Sequence, residues 1–342
     1  MKVHGLSGLA NLGNTCYINT CMQILSHTPC LNTLLDTIDY NHIKHKKNIL
    51  DTTLITEWNN LRILLWKTNC VVSPNRWINT IQQIAKQKDL ELFSGFLQND
   101  ITEFIFFILN SFHEALSKEV NMQVAGNIKT NTDILANKCL KAHADFFESN
   151  YSTIIKDFYG MEINIIQDAI TNITLTQSYT PFSLLTLALT NSRTPSLFEL
   201  FEHHHIIEEL GDDNLWKNEQ GELVSIKKTI KIWNYPNILI IFLKRWNPVN
   251  NRKDQRIVHY PLNDLNLSKF VIGYNPNTYI YDLYGVCNHS GSNEGGHYSA
   301  FIKHQSNNTW YHFNDTSVSK INPDKVISNK AYCLFYNKKN IH

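Results

Sequence analysis

One change of period constrains this chain of 342 residues more than any other feature. In its first part the apolar residues recur three and four apart, as on one face of a helix. Residues 57–67 carry Trp58, Leu61, Leu64 and Leu65 in such a stripe, and residues 76–87 repeat the pattern after Pro74. The strongest helix is predicted over 100–118, with Ile101, Phe104, Ile105, Ile108, Leu109, Phe112 and Leu116 in line. Phe106 and Phe107 add apolar character outside the stripe, which predicts a central, buried helix. From Lys156 onward the chain reads as strands: DFYGMEINII, NITLTQSYTPF, SIKKTIKIW, NILIIFLKRW, TYIYDLYGVCNH, HYSAFIK, TWYHFN and AYCLFYN. Helices first and strands second indicate an α+β fold. No internal repeat, Gly/Ser linker or low-complexity tail interrupts it.

The segment GLANLGNTCYIN, from Gly8 to Asn19, places the thiol of Cys16 where a Gly- and Asn-rich loop gives way to a helix. The apolar residues that follow, Ile18, Cys21, Met22 and Leu25, keep helical spacing. A thiol attacks as thiolate, and a free Cys titrates near a pKa of about 8.5. A helix N-terminus favours the anion. Thr15 is placed to cap the helix, Gly13 lets the loop approach a substrate backbone, and the Asn11 amide can donate to a developing oxyanion. A lone Cys in such a setting is ordinarily buried and inert. A partner near the other end of the chain changes the reading.

NHSGSNEGGHYSAFIK, from Asn288 to Lys303, sets Gly295, Gly296, His297 and Tyr298 at a loop-to-strand junction. The next strand, TWYHFND, ends in Asn314 and Asp315, and the turn QSNN joins the two as a hairpin. Side chains opposed across a hairpin come within reach, so His297 is expected to meet Asn314 or Asp315. A thiol, an imidazole and an orienting amide or carboxylate make a cysteine-protease constellation.

These segments resemble the Cys and His boxes of the ubiquitin-specific proteases, a family of papain-like deubiquitinases. The Cys box departs from the usual run mainly at Ile18. LQNDITEF, from Leu97 to Phe104, is similar to the family's Gln-Gln-Asp box, with Asn99 as the departure. NYPNILIIFLKRW, from Asn234 to Trp246, is similar to the strand that usually ends Leu-Lys-Arg-Phe. The order and spacing of all four fit, over essentially the whole chain.

The resemblance implies a papain-like cysteine protease fold shaped as a right hand, in one catalytic domain spanning residues 1–342. A helical thumb would run over roughly 1–157, β fingers over roughly 158–235 and a β-rich palm over roughly 236–342. It implies thiol-dependent hydrolysis at ubiquitin's C-terminal glycine through a thioester. Cys16 would be the nucleophile, His297 the general base, Asn314 the orienting third member and Asn11 the oxyanion donor. Asp315 is often implicated beside the third member. Adjacent side chains on a strand point to opposite faces, which ranks Asn314 ahead of Asp315. Asp100 would meet the arginines of ubiquitin's tail, as a carboxylate pairs a guanidinium. At the start of its helix it would also suit the dipole. Gln98 would bind the tail backbone, and Tyr298 would wall its channel. Two polar loops, Asn247 to Arg256 and His289 to Gly296, would gate it, with Trp246 at the base of the first.

One departure is large. Many family members hold zinc with two C-x-x-C pairs at the fingertips. Here those places read IIQDAIT (165–171) and LWKNEQGE (215–222), without Cys. No metal or other cofactor is expected, and the fingers must be held by strand pairing and packing. His203, His204 and His205 form a run, but neighbours on one element cannot all face one metal; a solvated loop or strand edge is expected. The net charge of +1 offers no footprint for nucleic acid or an anionic membrane. The longest apolar runs, FIFFIL and ILIIFL, fall far short of the ~20 residues of a membrane span. The N-terminus carries no apolar core for a signal peptide. Seven scattered Cys with no C-x-x-C pair argue for reduced thiols in the cytosol or nucleus. Richness in Asn, Ile, Lys and Thr fits a virus or parasite, and for a virus the compartment is the host cell's. The expected partners are ubiquitin and ubiquitinated proteins, met by a monomer. Two alternatives stand beside the deubiquitinase: a silent ubiquitin-binding pseudoenzyme, and a papain-like protease acting on another modifier.

Overall fold

The computed structural model describes residues 3–43, 48–121, 126–210, 214–218, 221–247, 249, 252–292 and 295–340. Of the two expected gate loops, Pro248, Asn250 and Asn251 in the first and Asn293 and Glu294 in the second lie outside the described residues. So do Glu219 and Gln220 of the second fingertip segment.

The longer helices of the first part, among the described residues, are α1 (Cys16–Ser26), α2 (Ile49–Lys67), α3 (Asn75–Gln87), α4 (Ile101–Leu116) and α5 (Asn131–Phe146), with shorter ones over Pro29–Thr37, Tyr40–Ile43 and Thr153–Phe158. The most enclosed is α1, not the more apolar α4. Every residue of α1 is buried, because it lies between α4 and the large sheet described below. In α4 the predicted stripe is buried from Ile101 to Phe112 and half-buried at Leu116, but Phe106 is 53% exposed. The helix ends at Leu116, two residues short of the expectation, where Lys118–Glu119 begins a short strand. Helix α2 starts eight residues before the predicted stripe. Its inner face is Leu54, Ile55, Trp58, Leu61 and Leu65, which turns Leu64 outward.

Two sheets build the rest. The smaller has the order β2-β1-β5-β4, from β1 (Gly160–Asp168), β2 (Thr174–Phe182), β4 (Glu208–Leu210) and β5 (Ile226–Asn234). Cys139 of α5 packs with Met161 and Ile163 against one face of it. At its tip, Leu223–Val224 pairs with Trp216–Lys217, and Asp168 Oδ1 accepts from the Ile170 and Thr171 amides. The larger sheet contains β3 (Leu185–Ala188), β6 (Ile238–Lys244), β9 (Ile280–Gly291), β10 (Gly296–His304), β11 (Thr309–Asn314), β12 (Ser317–Lys320) and β13 (Ala331–Lys338). Its order is β12-β11-β10-β9-β13-β6-β3, with Leu265–Asn266 added beside β9. A two-residue pair, β7 (Trp246–Asn247) with β8 (Arg252–Lys253), stands at the end of β6.

The span expected for the fingers is not one piece. β3 leaves it to run parallel to β6, with Leu185 opposite Ile241. A helix over Leu197–His204, unread in the β-rich half, follows and packs Leu197, Leu200 and Phe201 into the core behind the large sheet. His203 and His204 end that helix, so the expected loop or strand edge is a helix terminus. His205 stacks on Phe270 and bonds the Ile230 carbonyl at 3.0 Å.

The large sheet carries two cores. One, against α1, α2 and α4, includes Met22, Ile24, Trp58, Phe104, Tyr298 and Phe335; the other includes Phe201, Tyr281, Leu334 and Tyr336. Clamping α1 between α4 and β10 is what brings the ends of distant segments together.

Candidate active site

The loop before α1 is tied down on both sides. The Gly8 and Ala10 amides donate to Cys70 and Val72 carbonyls, and the Leu9 amide donates to the Asp315 carbonyl at 2.9 Å. A β-carbon at Gly8 would collide with the Thr316 carbonyl, so only glycine permits this approach. Asn11 then gathers the turn. Its Oδ1 accepts from the Gly13 and Thr15 amides, each at 3.1 Å. Gly13 and Asn14 take positive φ of 105° and 52°, and α1 starts at Cys16. Thr15 holds the N-cap position without capping. Its hydroxyl accepts from the Leu12 amide at 2.9 Å, because the turn turns it back into the loop.

Cys16 is 3% exposed. Burial pushes its thiol pKa up, and the negative charge of Asp315 adds to this. Backbone hydrogen bonds from Tyr298, Tyr17 and Cys16 itself act the other way and do not outweigh burial. The helix terminus expected to lower the thiol is therefore overruled by desolvation.

His297 lies in β10, one residue before Tyr298, and is exposed. Its cross-strand partner is Ser290, and the β10–β11 ladder begins only at Ala300 and Phe313. The imidazole nevertheless reaches Asn314: Nε2 lies 2.6 Å from Oδ1. An amide oxygen only accepts, so Nε2 carries the hydrogen and Nδ1 keeps the lone pair. Asp315 follows the end of β11 with φ of 48°, so strand alternation does not govern it. Its carboxylate turns to the loop and to α1. Oδ2 accepts from Asn11 Nδ2 at 3.0 Å, and Oδ1 from Asn19 Nδ2 at 2.8 Å. Asn19 had no role in the sequence reading. Its spacing of three from Cys16, one helical face, is the signal that marks it.

A cavity of about 90 Å³ opens beside the thiol, lined by Tyr17, Gln98, Asn99, Asp100, Trp246, His289, Ser292, Gly296 and Tyr298. The structure thus gathers all but one of the sequence's substrate-contact residues around Cys16; Gly295 sits beside them in the second loop. Gln98 spans the cavity: its Oε1 accepts from the Gly296 amide at 2.8 Å and its Nε2 donates to the Gly296 carbonyl at 3.1 Å. The Gly295 carbonyl accepts from the Ser292 amide at 2.8 Å. Asp100 caps α4. Its Oδ1 accepts from the amide and hydroxyl of Thr102, both at 2.7 Å, and its Oδ2 from the Tyr332 hydroxyl at 2.6 Å. Burial, then the Asp100 charge, pushes the Tyr332 phenol up. Tyr332 comes from β13, and no local pattern in its strand marks it for this contact.

Asn99, the departure from the usual box, donates to the Leu92 carbonyl at 2.6 Å and to the Tyr17 hydroxyl at 3.1 Å. His289 packs against Tyr298 with the two rings tilted by 43°, and it meets Trp246 edge-on. Among the described residues no three His, Cys, Asp or Glu side chains are grouped to hold a metal ion, and no helix is long and apolar enough to cross a membrane.

A family model described as ubiquitin carboxyl-terminal hydrolase matches residues 7–336. Ubiquitin carboxyl-terminal hydrolase 2 of Homo sapiens is 31% identical over 352 residues, which cover 98% of this chain and 55% of the relative. Ubiquitin carboxyl-terminal hydrolase Usp2 of Drosophila melanogaster is 28% identical over 346 residues, covering 98% and 35%. A probable ubiquitin carboxyl-terminal hydrolase of Acanthamoeba polyphaga mimivirus is 25% identical over 428 residues, covering 98% and 90%. The chain therefore spans about a third of the fly relative and a little over half of the human one. Among solved structures, the SAGA Ubp8/Sgf11/Sus1/Sgf73 DUB module bound to ubiquitin aldehyde has a chain similar in fold. Its TM-score is 0.73 at 23% identity, covering 99% of this chain and 71% of that one.

Proposed function

The chain belongs to the ubiquitin carboxyl-terminal hydrolase family, and from that premise we propose that it is a cysteine deubiquitinase. It cleaves the peptide or isopeptide bond after ubiquitin's C-terminal glycine, in ubiquitin and ubiquitinated proteins. One observation carries the reading. The Cys16 thiol lies against the backbone N–H of Tyr298, the residue that follows His297 in β10, and the His297 imidazole has its Nε2 held by Asn314.

In this mechanism the resting thiol is protonated, and Nδ1 of His297 takes its proton as the sulfur attacks the glycine carbonyl. The Asn11 amide has one N–H engaged by Asp315; the other is free to meet the oxyanion. Collapse of the tetrahedral intermediate sends the His297 proton to the departing amine and leaves a thioester on Cys16. Water, deprotonated by the same imidazole, then releases ubiquitin's carboxylate and returns the thiol. Asn314 holds the ring but carries no charge to stabilise an imidazolium, which suits a pair that forms the ion only transiently.

The Gln98–Gly296 bonds cross the path of the glycine tail, so tail entry requires them to give way, with the loops on either side as gates. Asp100 faces the tail's arginines with lone pairs not used by Thr102 and Tyr332. The seven free cysteines fit a reducing cytosol or nucleus.

The test is a ubiquitin probe bearing a C-terminal electrophile. A covalent adduct on Cys16, absent from Cys16→Ala, is the expected result. Binding of ubiquitin without an adduct would leave the pseudoenzyme. Reaction only with a probe built on another modifier would reassign the substrate.

A further inference from the structure

Lys253 lies in the first expected gate loop, where the sequence reading assigned it no role of its own; it stands in β8, opposite Trp246. Its side chain folds back toward the cavity beside Cys16. Nζ lies 3.0 Å from His289 Nδ1 and 2.5 Å from the His289 carbonyl oxygen, with the Tyr332 ring centre 5.9 Å away. An ammonium has donors and no acceptor, so Nδ1 must offer it a lone pair. A neutral imidazole with its lone pair on Nδ1 carries its hydrogen on Nε2. His289 is neutral at physiological pH: burial, then the charge of Lys253, pushes its pKa down to about 4. The ring cannot turn freely, because Tyr298 and Tyr332 pack on it and Trp246 meets its edge. Its Nε2 edge faces Gly296, where a β-carbon would collide with the ring. Both residues line the cavity that holds Cys16.

We propose that Lys253 is a positioning residue that fixes His289 as its Nε2–H tautomer. The imidazole then presents a hydrogen-bond donor to a backbone carbonyl of the glycine tail passing Gly296. This rests on the deubiquitinase reading for the identity of the tail, though not for the tautomer. Glycine residues offer no side chain to recognise, so a narrow channel reads them through backbone groups, and a donor of fixed direction is what a carbonyl requires. The other imidazole tautomer would turn a lone pair toward that carbonyl and repel it. A lysine acting through a histidine thus sets the polarity of the channel.

The experiment compares Lys253→Met, which keeps the chain's bulk and removes all donors, with Lys253→Arg, which keeps a donor-only cation. Ring ¹⁵N shifts of His289, assigned with His289→Gln, report the tautomer in the free protein. Steady-state cleavage of a fluorogenic ubiquitin C-terminal amide reports the consequence. Lys253→Met is expected to lose the Nε2–H tautomer and to raise KM about threefold to tenfold with kcat nearly kept, the size of one neutral hydrogen bond. Lys253→Arg is expected to restore both. An unchanged tautomer in Lys253→Met overturns the proposal, even if KM rises, since the lysine would then only brace the loop. A lost tautomer with an unchanged KM overturns the donor role toward the tail. Wild-type protein that leaves the ubiquitin substrate uncut rejects the deubiquitinase reading instead, because the tautomer measurement needs no substrate.

Discussion

Asp315 is bonded to Asn11 and not to His297: its Oδ2 accepts from Asn11 Nδ2 at 3.0 Å, while the imidazole's partner is Asn314. The two neighbouring residues at the end of β11 therefore act on different parts of the site. Asn314 holds the His297 ring. Asp315 ties the loop before Cys16, and through Asn19 the first turn of α1, to the sheet.

Asp315→Asn tests this division. The substitution removes the charge that strengthens two hydrogen bonds, and a charge-assisted bond is worth roughly 1.5–3 kcal/mol. The expected loss is about tenfold to a hundredfold in kcat, with the pH dependence of kcat/KM retained because His297 keeps its partner. Asn314→Ala should instead change that pH dependence. A normal kcat in Asp315→Asn would remove the residue from the catalytic arrangement.

Asp100 has a structural duty as well as the proposed one, and two variants separate them. Asp100→Ala removes the cap of α4, a loss of about 1 kcal/mol, and strips the Tyr332 hydroxyl of its acceptor. Asp100→Ser keeps a capping oxygen and removes the charge. Both should raise KM for a ubiquitin substrate, but only Asp100→Ala should lower the melting temperature by the full amount. If Asp100→Ser cleaves as well as the wild type, the carboxylate does not read the tail.

The buried thiol makes a prediction about pH. The Cys16 pKa lies above its ordinary value, so alkylation of Cys16 by iodoacetamide in the free protein should be slow at pH 7. It should climb with pH beyond the range where an ordinary thiol levels off, about 8.5. A rate already at its plateau below pH 7 would reveal a standing thiolate–imidazolium pair and contradict the protonated resting state.

Acid should weaken the fold through its buried histidines. Burial lowers His27 to about 4, against 6.5 for a free imidazole. Below pH 6.5 the unfolded chain binds a proton that the folded chain refuses, so stability falls as pH drops from 6.5 toward 4. Above 6.5 the effect is absent. The melting temperature should therefore decline from pH 7 to pH 5, and His27→Gln should flatten the slope; a level profile in the wild type would refute this.

The fingertip segments lack Cys, and β1, β2 and β5 are held by their ladders and by packing against α5. Treatment with a chelator should leave melting temperature and activity unchanged. Elemental analysis that found one zinc per chain would expose a site not foreseen.

Sequence alone determined the order of the parts and which residues are the candidates for the reacting groups. The helix-period half, the strands after Lys156 and the segments around Cys16 and His297 are legible because periodicity and turn chemistry act over a few residues. Local pattern also placed the start of β10 and the head of α1 within a residue. Tertiary structure decided what each group does to the others. It buried Cys16 deeply enough to overrule its helix terminus and sent Asp315 to Asn11. It also closed Gln98 onto Gly296, 198 positions away, and folded Lys253 under His289. These outcomes depend on desolvation and on the approach of segments far apart in the chain. Both arise only when α1 is clamped between α4 and the large sheet, and no pattern of neighbours along the sequence encodes them.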